Sequence, residues 1–306
     1  MMTVSTTPFA TALARGPLVL DGGLSNQLVA QGCDLSDELW SARLLADDPA
    51  QIEAAHTAYV EAGARVLITS SYQATFEGFA RRGLGRRESE ALLRRSVELA
   101  RRAADRAERE VWVAASVGPY GAMLADGSEY RGRYGLSVAQ LERFHRPRVE
   151  ALAAAAPDVL ALETVPDVDE ARALLRAARD CEVPVWLSYS VAGESTRAGQ
   201  PLTEAFAVAA DNDQVVAVGV NCCAPQDADR AVELAARATG KPVVVYPNSG
   251  EDWDARTGDW KGRTTFDPGR VAVWRAAGAR LIGGCCRVGP ERIAELAALV
   301  GPAEKQ

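Results

Sequence analysis

A (β/α)8 barrel of the TIM type, forming one somewhat irregular α/β domain, is the fold this sequence predicts. Eight short runs rich in β-branched residues recur along its 306 residues. Several are almost continuously apolar, as strands buried on both faces of a parallel sheet must be. Helix-like segments rich in Ala, Leu, Glu and Arg separate them, and strand–helix alternation repeated eight times is how such a barrel reads. An open doubly wound sheet is the structural alternative, but no GxGxxG follows the first run to support it.

The elements follow in order. LVLDGG (18–23) opens the barrel and ends on an acid. DPAQIEAAHTAYVEAGA is helical, starting at Asp-Pro and stopping at Gly; RVLITSSY (65–72) follows it. SEALLRRSVELARRAADRAE precedes VWVAASVG (111–118), and SVAQLERFHRPRVEALAAAA precedes VLALETV (159–165). DVDEARALLRAARD leads to VPVWLSY (183–189). The stretch SVAGESTRAGQPLTEAFAVAADNDQ is weak as a helix and reads as an enlarged loop before VVAVGVNC (215–222). DADRAVELAARATG leads to PVVVYPN (242–248), a long polar insert spans 248–268, and RLIGGCC (280–286) is the eighth run, followed by GPERIAELAALVG. Residues 1–15, without a charged start and solid apolar block, read as a loose tail rather than a signal peptide. Residues 16–302 read as the barrel domain and 303–306 as a C-terminal tail.

Composition narrows the partners. The chain is 48% hydrophobic and 25% charged, with net charge -7. No basic run with interleaved aromatics suits nucleic acid. Arginine clusters alternate with acids at helical spacing, as solvated helix faces do. No apolar stretch approaches the ~20 residues of a membrane span. A cytoplasmic location is expected, where thiols stay reduced, with small molecules as partners and a monomer or small homo-oligomer as the assembly.

Polar residues cluster at the C-terminal ends of the runs. Asp21 ends the first, Thr69 and Ser71 the second, Glu163 the fourth, Asn221 and Cys222 the sixth, Cys285 and Cys286 the eighth. In a barrel those ends share one mouth, where active sites form. Four of the six cysteines sit at two of these ends. Adjacent strand residues face opposite ways, so for Cys285 and Cys286 to share an ion the backbone must bend, and Gly283 and Gly284 ease a bend. Only one of Cys222 and Cys223 is expected to face the mouth, and Cys222 is favoured. Three thiolates at ~2.3 Å leave a fourth position on a tetrahedral Zn2+ open. A disulfide between the pairs and a structural four-thiolate zinc are the alternatives; the C-x2-4-C spacing of the latter is absent. Cys33 and Cys181 read as small core residues.

Three thiolates make a poor hydroxide generator, since hydrolytic zinc favours histidine and carboxylate ligands. The two histidines, His56 and His145, fall inside helical segments and read as surface or packing residues. A soft site suits a thiol as fourth ligand, which the metal would deprotonate. The natural reaction is S-alkylation. Asp21 and Glu163 could hold a cationic amino group at the same mouth.

The motifs DGGLSNQL, LWSARLL, ITSSYQAT, VGPYGAMLADGSEYRG, LALETVPD, GVNCCAP, YPNSGE-W and GGCC together resemble the homocysteine S-methyltransferase family, in order, from about residue 18 to 299. The resemblance implies an irregular (β/α)8 barrel that methylates L-homocysteine to methionine, with Zn2+ on Cys222, Cys285 and Cys286. It implies that Asp21, Gly22 and Glu163 hold homocysteine, with Thr69 and Ser71 supplying hydroxyls; Asn221 is a further candidate for the carboxylate. GPYGAxLADGSEYRG and YPNSGE point to the branch using S-methylmethionine or S-adenosylmethionine. Aromatic faces attract a sulfonium, and Tyr120, Tyr130, Tyr134, Tyr246 and Trp253 lie in candidate mouth loops. Alkyl transfer to another thiol or selenol, and a non-enzymatic metal-binding or redox-sensing barrel, are the rival readings.

Overall fold

In the computed structural model, residues 7–36, 39, 41–254 and 259–301 are described. Eight parallel strands form the sheet: β1 (Leu18–Val19), β2 (Val66–Ile68), β3 (Trp112–Val117), β4 (Val159–Val165), β5 (Val185–Tyr189), β6 (Val215–Asn221), β7 (Val243–Tyr246) and β8 (Ala279–Ile282). Their order runs β1-β8-β7-β6-β5-β4-β3-β2. A parallel bridge between Leu20 and Val66 closes the ring. All eight runs predicted from sequence therefore become staves of one barrel.

Alternation along each strand sorts the core into two layers, because successive side chains leave opposite faces. Val66, Trp112, Ala114, Val159, Ala161, Trp186, Ala217, Val244, Tyr246 and Leu281 fill the barrel interior. Leu67, Val113, Leu160, Leu162, Leu187, Val218 and Val243 face the helices outside. Gly219 is required by this packing, since a Cβ there would run into the carbonyl oxygen of Val244 on the next strand.

The N-terminal residues depart from the sequence expectation. Residues 9–15, expected to belong to a loose tail, form a helix (Phe9–Arg15) that buries Phe9, Ala12 and Leu13. Phe9 packs on Trp112 at 6.5 Å and Trp186 at 6.4 Å between ring centroids. Both tryptophans lie near the N-terminal ends of their strands, so this helix plugs the bottom of the barrel. Burying Phe9 gives about 2–3 kcal/mol, which is why so short a helix holds.

The expected enlarged loops are real. The segment after β5 carries a two-residue hairpin and a short helix, Leu202–Ala207. The insert after β7 holds an antiparallel hairpin of Asp252–Asp254 with Asp259–Lys261. Among the described residues no helix is long and apolar enough to cross a membrane.

Candidate metal and substrate site

Three cysteines meet at the C-terminal mouth. Sγ of Cys222 lies 2.6 Å from that of Cys285 and 3.9 Å from that of Cys286. All three sulfurs lie within 4.8 Å of one another. Tetrahedral Zn2+ with ~2.3 Å bonds separates its sulfurs by about 3.8 Å. The longer spacing matches that edge and the shorter is tighter than it. The three soft donors and the absence of any His or carboxylate from the group fit Zn2+ with one position left for a ligand.

Local backbone brings each sulfur there. Along β6, Ala217 faces the interior and Val218 and Val220 face outward. Cys222 would continue the outward set. It does not, because its φ is +48°, a left-handed turn that breaks the alternation. Cys223 instead goes outward into the core, fully buried. Gly283 and Gly284 are needed for room rather than for a bend: a Cβ on Gly284 would strike Val288, and one on Gly283 would strike Leu20. The left-handed residue is Arg287, φ +63°. The N–H of Cys285 donates to Pro247 O at 2.8 Å and that of Cys286 to Asn248 Oδ1 at 3.2 Å. The YPNS segment after β7 thus sets both cysteines.

The thiols titrate as a unit. Hydrogen bonds from Cys222 and Cys285 pull Cys286 well below the ordinary thiol range. Its hydrogen bonds with Cys222 and Cys286, then burial, push Cys285 up.

Two carboxyls lie at the same mouth. Asp21 is 1% exposed; its Oδ2 accepts from the Ile68 N–H at 2.8 Å, while Oδ1 has no partner. Burial drives its pKa well above the usual range, and Glu163 adds to the rise. Glu163 keeps the inward phase of Val159 and Ala161 on β4. Ser116 Oγ donates to its Oε1, and Tyr246 contacts Oε2 at 2.7 Å. Burial raises Glu163 to about 7 against the pull of those bonds. Proton counting agrees. Ser188 Oγ donates to Asn221 Oδ1 at 2.8 Å and lies 3.0 Å from Tyr246 OH. With Tyr246 donating to Glu163, the Ser188–Tyr246 contact lacks a proton. A proton on Glu163 lets Tyr246 turn to Ser188 and completes the chain.

Several sequence candidates are committed to the protein itself. Asn221 grips Thr164: its Oδ1 accepts from Thr164 N–H and its Nδ2 donates to Thr164 Oγ1, both at 2.7 Å. This clamp holds Thr164 at φ +57° and leaves Asn221 one free N–H. Ser71 donates to Ser116 O at 2.7 Å, so Thr69 donates in turn to Ser71, also at 2.7 Å. Both hydroxyl protons are thereby used. Gly22 is demanded by close approach, since a Cβ there would strike Val288 O and Tyr59. Its own N–H has no protein acceptor among the described residues.

Of the aromatic candidates, Tyr130 reaches the cysteines, where its hydroxyl interacts with Cys222. Tyr120 and Tyr134 stack on each other at 5.2 Å, and Tyr120 on Phe144 at 4.8 Å, facing helix Val138–Ala153 instead of the sulfurs. Tyr246 lies inside the barrel beneath Glu163. All three side chains pack on loop or core residues of the protein. Trp253 falls on the hairpin after β7, and its side chain lies outside the described residues. Sequence reading missed Tyr72 and Glu129. The Tyr72 hydroxyl feels Cys222, Glu129 and Glu163 together, and the Glu129 carboxyl feels Cys222. Tyr72 ends the second apolar run, the same signal that singled out Ser71.

Neither histidine joins the trio, and both are buried rather than exposed. His145 lies in a closed cluster. Arg148 Nη2 donates to its Nδ1 at 2.7 Å, so the ring proton is on Nε2, which meets Glu170 Oε1 at 2.9 Å.

Comparison with known proteins identifies a family. A family model described as homocysteine S-methyltransferase matches residues 18–300. Homocysteine S-methyltransferase 4 of Zea mays is 47% identical over 312 residues, covering 95% of this chain and 91% of the relative. The Escherichia coli homocysteine S-methyltransferase is 46% identical over 292 residues, covering 92% and 94%. The metallated form of the homocysteine methyltransferase MmuM from Escherichia coli superposes with a TM-score of 0.85 at 44% identity, covering 96% of this chain and 100% of that one. An oxidised form of that enzyme gives a TM-score of 0.86. This chain, with its three-cysteine mouth, belongs to the homocysteine S-methyltransferase family.

Proposed function

We propose that the protein transfers a methyl group from a sulfonium donor, S-methylmethionine or S-adenosylmethionine, to the sulfur of L-homocysteine, giving methionine. The observation that carries this reading is the convergence of three thiols and two buried carboxyls on one mouth. Cys222, Cys285 and Cys286 would hold Zn2+, a role supported by the metallated state named for the Escherichia coli relative. When bound, the ion acidifies an incoming thiol and keeps its sulfur nucleophilic at neutral pH.

The protein's own groups do the rest. Asp21 Oδ1, buried and unpartnered, accepts from the ammonium of homocysteine. Glu163 releases its proton to solvent as that ammonium arrives, and the two acids then flank one cation. The free Gly22 N–H and the remaining Asn221 N–H point to carboxylate binding. The homocysteine sulfur attacks the donor methyl carbon, and the C–S bond to the donor breaks with its electron pair returning to that sulfur. Charge disappears in this step, so a mouth screened from water favours it. Holding the two sulfurs in line contributes as much as roughly 7–11 kcal/mol.

A non-enzymatic metal-binding or redox barrel leaves Asp21 Oδ1 with nothing to bind, whereas an amino-acid substrate satisfies it. The test incubates zinc-loaded protein with homocysteine and, separately, S-methylmethionine, S-adenosylmethionine and betaine. Methionine is expected from a sulfonium donor; none from either would end this reading. Cys285→Ser should lose stoichiometric zinc and methyl transfer together while the barrel stays folded by circular dichroism.

A further inference from the structure

We propose that Glu129 is the counter-charge for the methyl donor: its carboxylate receives the sulfonium near the three cysteines, with Tyr130 next to it in the chain. The inference rests on the methyl transfer proposed above and names the residue that would select a cationic donor.

Glu129 lies in a short 3-10 turn, Ser128–Tyr130, within the loop after β3. That turn is built rigidly. Ser128 is buried at 2% exposure, and its N–H donates to Asp126 Oδ1 at 3.0 Å. Gly127 takes a left-handed φ of +79°. A Cβ on Gly121 would collide with the backbone of Ser128 and Glu129, so the turn is seated directly on the short helix Tyr120–Leu124. From there the Glu129 carboxyl feels Cys222, Cys286 feels Glu129, and the Tyr72 hydroxyl feels Glu129 and Cys222 alike.

An acid in that position needs a partner it does not have. Oε2 of Glu129 is buried with no hydrogen-bond partner. No ion pair includes Glu129 among the described residues; the nearby Arg197 is occupied, stacked 5.6 Å from the Tyr130 ring and donating to Ser190 Oγ at 3.2 Å. A buried, unpartnered carboxylate oxygen is costly, and the nearby thiols of Cys222 and Cys286 raise that cost. An unpartnered carboxylate oxygen near ionisable thiols suits a cation. The mobile cation of this reaction is the donor's sulfonium, whose charge vanishes once the methyl has left.

That loss of charge gives the proposal its kinetic signature. Glu129 binds the cationic donor more strongly than the half-neutralised transition state, and the transition state more strongly than the neutral thioether product. Its interaction is therefore of the kind that lowers KM without raising kcat, and it favours exchange of product for fresh donor.

The experiment compares wild type, Glu129→Gln and Glu129→Asp as zinc-loaded holoenzymes. In steady state, Glu129→Gln should raise the donor KM about tenfold, the usual scale for one charge-assisted contact. The homocysteine KM and kcat should stay within about twofold, and Glu129→Asp should recover part of the loss. Calorimetric titration supplies a readout that needs no turnover. S-methylmethionine is compared with homoleucine, in which a C–H replaces the sulfonium sulfur. Wild type should prefer the sulfonium about tenfold or more, and Glu129→Gln should erase that preference. An unchanged preference, a homocysteine KM rising in step, or a fall in kcat at constant donor KM overturns the proposal. Failure of wild type to make methionine from any donor would instead strike the methyl-transfer reading, while the titration would still decide whether Glu129 reads the charge.

Discussion

Asn221 is a small residue with a large structural share. Its amide closes a two-way clamp on Thr164 and accepts from Ser188. It precedes Cys222, whose left-handed φ turns the sulfur into the mouth. Removing the amide leaves the Thr164 N–H buried without an acceptor, a cost of about 1–3 kcal/mol. It also loosens the chain next to the sulfur of Cys222, one of the three proposed to hold zinc. Asn221→Ala should weaken zinc binding about 10–100-fold, the scale for groups that orient metal ligands. Competition with a chromophoric chelator measures this. An affinity equal to wild type would make the clamp purely architectural.

At the scale of elements, the cluster of Arg148, His145 and Glu170 ties helices to the functional loop. Helix Val138–Ala153 supplies the first two and helix Val168–Ala178 the third. Arg148 donates to Gly118 O, and Glu170 Oε1 accepts from the Tyr120 N–H at 2.5 Å. The loop that carries Glu129 and Tyr130 is therefore anchored at its root by buried charge. Burial raises Glu170 to about 7, partly offset by the Tyr120 N–H and Arg148. Between the ordinary carboxyl value and about 7 the folded protein keeps a proton that the unfolded chain has released. Stability thus falls as pH rises through that window, by about 1.4 kcal/mol for each pH unit crossed. Denaturant titrations at the two ends of the window should show the fall, and Glu170→Gln should remove Glu170's share of it and leave the share of Asp21 and Glu163, which burial also raises. An equal slope in the variant would mean that Glu170 does not carry the effect.

Across the whole molecule, the three cysteines proposed to hold zinc come from the ends of β6 and β8, with β7 between them. An ion held there ties together strands far apart in sequence and binds the folded state alone. Zinc at 100 times its dissociation constant would add ~2.7 kcal/mol. Chelation should therefore lower the melting temperature of wild type and leave Cys285→Ser unmoved. The barrel and its cysteines were legible in the sequence because eight apolar runs each ended in a chemically distinctive residue. What stayed hidden depends on single torsions or on packing without a pattern. Nothing in a list of residues shows that Cys222 is left-handed, which decides it over Cys223. Phe9–Arg15 was invisible because seven residues give too short a period to read, and its partners, Trp112 and Trp186, are distant. Glu129 was missed because a turn has no periodicity to place it.

The ring closes at its thinnest point. β1 has two residues, and a single bridge from Leu20 to Val66 completes the circle. Asp21 follows directly, and its carboxylate reaches over to the Ile68 N–H on the neighbouring stave. The seam of the cask is thus stitched by the same side chain proposed to greet an amino acid. Amide protons at Asp21 and Ile68 should exchange faster than those at mid-barrel Leu187 and Val218, and slow when homocysteine is present. Occupancy would then be felt as the tightening of a hoop, with substrate serving briefly as part of the vessel that contains it.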